Sequence, residues 1–69
     1  MNIIIRYSSL QIDDWEKLDR EKQEVVSQFA TEQGLEMKQR LETMHIRGKL
    51  DDLFKFLHRL CTRYDVELT

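Results

Sequence analysis

The stretch LEMKQRLETMHIRGKLDD, residues 35–52, decides the fold, because it lies between two segments of helical periodicity and reads in two ways. As helix, Leu41, Met44 and Met37 form a thin apolar stripe broken only by Gly34 and Gly48, and its Leu, Glu, Met, Lys, Gln and Arg residues are good helix formers. As strands, LEMKQR follows the polar turn ATEQG, and TMHIR enters the next helix through Gly48. The strand reading is preferred because it gives NIIIRY, near the amino terminus, partners to pair with. Without them its exposed edge is a liability.

Outward from that stretch the patterns are clearer. Residues 2–8 carry β-branched and aromatic side chains with no 3.6-residue spacing, which predicts a strand that Ser8 and Ser9 break. In DDWE, Asp13 and Glu16 have capping-box spacing, which predicts a helix start. Trp15, Leu18, Val25, Val26, Phe29 and Ala30 follow on one face, and Gly34 is the expected stop. Leu50, Leu53, Phe54, Leu57, Leu60, Cys61 and Tyr64 recur at three-and-four spacing, predicting an amphipathic helix over residues 49–64. Asp51 and Asp52 suit its first turn, Arg59 and Arg63 its last two. VELT then reads as a short strand.

The resulting order, β-α-(β or ββ)-α-β, resembles the split βαβ, or ferredoxin-like, sandwich. The expected fold is therefore α+β, with two amphipathic helices packed on a three- or four-stranded sheet. A helical hairpin with an N-terminal strand is the alternative, since no Asn-Gly or Asp-Gly marks a β-turn near Leu41 and Glu42. The resemblance is to an architecture and transfers no site residues.

A chain of 69 residues is read as a single domain, residues 1–69. At this size one core supplies roughly 3–5 kcal/mol, so reinforcement by a partner chain is worth seeking. Cys61 is the sole cysteine, which excludes an intrachain disulfide and suits a reducing compartment. Three consecutive apolar residues, Ile3–Ile5, are too few for a signal-peptide core or a membrane span. The expectation is a cytoplasmic protein with no membrane partner.

The net charge of −2 hides an asymmetry. Residues 1–34 carry four basic and seven acidic side chains, whereas between Lys38 and Arg63 seven Lys and Arg face only Glu42, Asp51 and Asp52. Lys38, Arg40, Arg47, Lys49, Lys55, Arg59 and Arg63 therefore form a candidate anion or nucleic-acid surface.

Little in the sequence points to catalysis. His58 and Cys61 lie three apart, but Cys61 falls in the apolar stripe, where a small buried hydrophobe is its ordinary role. The pairs Asp13/Asp14 and Asp51/Asp52 open predicted helices, where carboxylates belong anyway. No Gly-rich loop, Gly-x-Ser-x-Gly or His-Glu-x-x-His occurs. No enzyme activity, cofactor or metal is expected. Phe56 falls outside the Leu50/Phe54/Leu57/Cys61 stripe, and Trp15 lies at the margin of its helix. Both are candidate protein-interface residues, because marginal aromatics bury much area on binding. The sequence thus suggests a small non-enzymatic interaction or regulatory module. It would act as a homodimer and bind another protein. Nucleic-acid binding through the basic surface is the alternative.

Overall fold

Two β-hairpins carry the sheet. In the computed structural model, which describes residues 1–69, β1 (Asn2–Arg6) turns through Tyr7 and Ser8 into β2 (Ser9–Ile12). Likewise β3 (Glu36–Arg40) turns through Leu41 and Glu42 into β4 (Thr43–Arg47). Helix α1 (Arg20–Glu32) joins the hairpins, and α2 (Leu50–Arg63) leads to β5 (Glu67–Leu68). The chain is α+β, with a five-stranded mixed sheet in the order β3-β4-β2-β1-β5. Four strands pair antiparallel, and β5 runs parallel to β1.

The stretch 35–52 is thus two strands and the start of a helix, and the helical-hairpin alternative does not form. The sheet has one strand more than expected. The reason is local: β2 was hidden because its turn, Tyr7-Ser8, holds neither glycine nor asparagine. Both hairpin loops are two residues long, and each puts a large side chain in the left-handed region, Tyr7 at φ 40° and Leu41 at φ 53°. Such loops ordinarily use Gly, Asn or Asp, because other residues pay about 1–2 kcal/mol for that conformation. Tyr7 is 97% and Leu41 92% exposed, so burial returns nothing at either tip.

Helix α1 also starts later than the capping-box spacing predicts. Asp14 takes φ 55°, a single 3-10 turn spans Trp15–Lys17, and Leu18 is extended. Asp19 is the actual cap, its carboxylate accepting the Lys22 N–H at 2.8 Å. The far end follows expectation. Gly34 sits at φ 70°, and the Leu35 N–H donates to Ala30 O at 2.9 Å, closing a Schellman-type cap with Leu35 buried beyond it.

Alternation along the strands settles where the core lies. Ile3 pairs with Ile12, Leu10 with Ile46, and Ile12 with Met44, so these side chains share one face of the sheet. They join Val26, Ala30, Leu53, Phe56, Leu57 and Leu60 of the helices, with Trp15 and Leu35, in a single cluster of 13 buried residues. Both helices cover the same face. The opposite face carries Ile4, Arg6, Ser9, Gln11, Glu36, Lys38, Arg40, Thr43, His45 and Arg47, none of them buried.

The buried stripe of α2 is Leu53, Phe56, Leu57 and Leu60, rotated from the one centred on Leu50, Phe54 and Cys61. That rotation follows from α1, because α2 must face the sheet and its neighbouring helix together. Phe56 falls inside the resulting arc at 0% exposure. Cys61, expected in the core, is exposed instead. Replacing Phe56 by Ala removes a ring from the centre of this small core, and about 3–5 kcal/mol is the expected cost. Urea denaturation should find Phe56→Ala largely unfolded, while half-exposed Phe54→Ala stays folded.

Candidate functional site

The two candidate interface aromatics lie within the core. Phe56 has no exposed surface, and Trp15, 5% exposed, closes the end of the core beyond Ile12. The Trp15 backbone is held from two sides: its N–H donates to Glu42 O at 2.8 Å, and its carbonyl accepts from Gln23 Nε2 at 2.9 Å. A partner docking on the folded surface finds little of either ring. The signal for Phe56 was present in the sequence, since residues 53, 56, 57 and 60 also have i, i+3, i+4, i+7 spacing.

The seven basic candidates separate into two groups on opposite layers. Lys55, Arg59 and Arg63 belong to α2 on the helical side. The Arg59 guanidinium lies 3.9 Å from the Phe29 ring centroid and 3.1 Å from Glu32 Oε1. It ties α2 to α1. Arg63 Nε donates to the Tyr64 hydroxyl at 3.2 Å. Lys49 is the exposed residue preceding α2. Lys55, Arg59 and Arg63, four residues apart, form one stripe along α2, within which Arg59 is committed to Glu32 and Phe29.

Lys38, Arg40 and Arg47 lie together on the sheet. The register pairs Lys38 with His45, Arg40 with Thr43 and Glu36 with Arg47 on adjacent strands, and β2 continues the same rows through Gln11 opposite His45 and Ser9 opposite Arg47. Alternating residues along a strand lie about 6.8 Å apart and strands about 4.8 Å apart, so three cations occupy a patch roughly 14 Å long. A shallow depression of about 330 Å³ opens among them, lined by Tyr7, Ser8, Ser9, Lys38, Arg40, His45 and Arg47.

Like Lys49, Lys55 and Arg63 on the other side, the cations of this patch are free of ion pairs. The protein's three ion pairs are Lys17–Asp14, Arg20–Glu24 and Arg59–Glu32. None involves Lys38, Arg40 or Arg47. Even Glu36, the cross-strand neighbour of Arg47, does not close to within ion-pair distance. Arg6 adds a further cation in the same row, one strand beyond Ser9. Arg6 and Tyr7 were not among the candidate residues, although period-two alternation in β1 and β4 was the signal that would have put Arg6, His45 and Arg47 on one face.

Other chemistry is sparse. No group of three or more His, Cys, Asp or Glu side chains is placed to hold a metal ion. His58 and Cys61 are both exposed on α2 with no hydrogen bond between them. A second, smaller recess at the opposite end of the sheet is lined by Asp14, Glu16, Lys17 and Glu42. No helix is long and apolar enough to cross a membrane. Comparison with protein-family models, curated proteins and solved structures finds no match to this chain.

Because Arg59 joins the two helices rather than the cationic face, its loss should be structural. Arg59→Ala is expected to lower stability by about 1 kcal/mol, the combined scale of an exposed ion pair and a ring contact. Chemical denaturation measures it directly.

Proposed function

We propose that this chain is a small non-enzymatic binding module that grips the phosphate backbone of a nucleic acid on the open face of its sheet. One observation carries the reading. Lys38, Arg40 and Arg47, scattered over ten residues of sequence, meet on one strand face with His45 between them, and no carboxylate pairs with any of them. Cations held on rigid strands and left unpaired suit phosphate oxygens, which release counterions on binding. The bland alternative, a solvated face, accounts less well for a face on which β2, β3 and β4 carry Lys38, Arg40 and Arg47 against the single carboxylate of Glu36.

For the fold, we read β2-α1-β3, with β4 between the two strands, as a split βαβ unit of the ferredoxin-like kind, into which β1 has been added between β2 and β5. Its support is that β2 and β3 are each antiparallel to β4 and so run in the same direction. We place the protein in the cytoplasm, where the single exposed thiol of Cys61 stays reduced.

Fluorescence anisotropy of a labelled oligonucleotide tests the binding. With about three phosphates neutralised, raising salt from 50 to 200 mM should weaken affinity roughly 20-fold. Lys38→Glu combined with Arg47→Glu should lose at least about tenfold, while Lys55→Glu with Arg63→Glu on the helical layer changes little. Equal losses from both pairs would mean that net charge, rather than this face, governs binding.

A second reading, homodimerisation, is favoured by a different observation. Leu50, Phe54 and Leu68 are half-exposed and Ile5 a third exposed. Leu50 and Phe54 lie on the flank of α2 away from α1, and Ile5 and Leu68 share the core-side face of β1 and β5. In addition β5 pairs only with Asn2 and Ile3, leaving the outer edge of Ile4–Arg6 open. A second copy satisfies both features, because a twofold axis at Ile5 sets the two β1 edges antiparallel with the apolar flanks adjoining. Sedimentation equilibrium should show a salt-insensitive dimer that Phe54→Asp converts to monomer. A wild-type monomer at every concentration would remove this reading.

A further inference from the structure

We propose that Tyr7 is a stacking platform for an unpaired base, so that the ligand of the open face is single-stranded nucleic acid. The inference rests on the phosphate-gripping reading and adds the substrate class.

Tyr7 contributes nothing visible to the fold. Its side chain is 97% exposed, its hydroxyl makes no hydrogen bond, and the three ring–cation contacts of the protein involve Tyr64 and Phe29 instead. Its backbone is meanwhile held at φ 40°, where glycine would sit without strain. Leu41 shares that strain and exposure, so these two features open the question of a use outside the core and the surroundings of each tip decide it.

Position indicates that use. Tyr7 lines the same depression as Ser9, Lys38, Arg40, His45 and Arg47, so an accessible ring stands at one end of a row of cations. A backbone-tracking cationic groove beside an aromatic face is how single strands are held without sequence preference, because every base has a π-face. In a duplex the bases are already stacked and paired, leaving only phosphates within reach. Leu41, the other strained tip, has no such setting. It borders Glu16, Glu42 and Thr43 at the opposite end of the sheet, and lacks a π-face.

The test compares two probes, a labelled ten-nucleotide oligothymidylate and inorganic polyphosphate, an anionic chain with no bases. Tyr7→Gly relieves the turn, so its thermal midpoint should equal or exceed that of the wild type, which removes misfolding as an explanation. The same variant should bind the oligothymidylate about 5- to 150-fold more weakly, the scale of one lost base stack. Its affinity for polyphosphate should not change, and Tyr7→Phe should retain both. If Tyr7→Gly binds oligothymidylate like the wild type while the Lys38→Glu, Arg47→Glu protein does not, the stacking role is overturned and the phosphate face stands. A wild type that binds a duplex of equal length as tightly as the single strand also overturns it. Failure of the wild type to bind either probe would overturn the phosphate reading itself.

Discussion

Both helices of this protein pack on one face of a five-stranded sheet, and the remaining features follow from that asymmetry. Strand side chains alternate between faces, so committing Ile3, Leu10, Ile12, Met44 and Ile46 to the helical layer commits their neighbours to water. A one-residue slip of β4 against β2 would send His45 and Arg47 into the core and Met44 and Ile46 into solvent. Burying unpaired charges costs far more than a domain of this size can supply. The hydrophobic register of the core therefore also fixes the positions of the cations on the other side. Packing and the proposed site are two readings of the same alternation.

Net charge would suggest that an acidic chain repels phosphate, and distance decides otherwise. The carboxylates of α1 and of the Asp14/Glu16/Glu42 recess lie in the helical layer or at the far end of the sheet. The screening length at physiological salt is about 8 Å, comparable to the spacing between packed layers. A phosphate at the open face therefore responds mainly to Lys38, Arg40 and Arg47 within the patch, offset by the one carboxylate of Glu36 beside Arg47. The distant acids weaken that attraction most at low salt. They also help keep the chain from being a general polycation, so that the proposed binding would depend on this face.

Much of the architecture was legible in the sequence, and the departures have physical causes. The helix at 50–63 and the glycine stop at Gly34 followed from periodicity and propensity, whereas the strands at 36–40 and 43–47 were preferred against local helix propensity because they gave NIIIRY partners. Strand β2 did not, because the rule that two-residue hairpins carry Gly or Asn fails at Tyr7-Ser8 and again at Leu41-Glu42. The capping box at Asp13 was overridden by Trp15, whose burial at the end of the core draws the chain through an extra turn before Asp19 caps the helix. On α2, two overlapping stripes had the same spacing, one through Phe54 and Cys61 and one through Phe56 and Leu60. Only the position of α1 selects between them, and that is tertiary information. The basic surface was visible as composition, but its division into a group on strands and a separate stripe on α2 required strand pairing.

The most direct test of the central claim, that the open sheet face is the functional surface, is an amide chemical-shift titration of the folded chain with oligothymidylate. The account predicts that shifts concentrate at Tyr7, Ser9, Lys38, His45 and Arg47, with the amides of α1 and α2 nearly still. Shifts confined to the α2 residues around Lys55 and Arg63, or none at concentrations where the oligonucleotide saturates other single-strand binders, would contradict it.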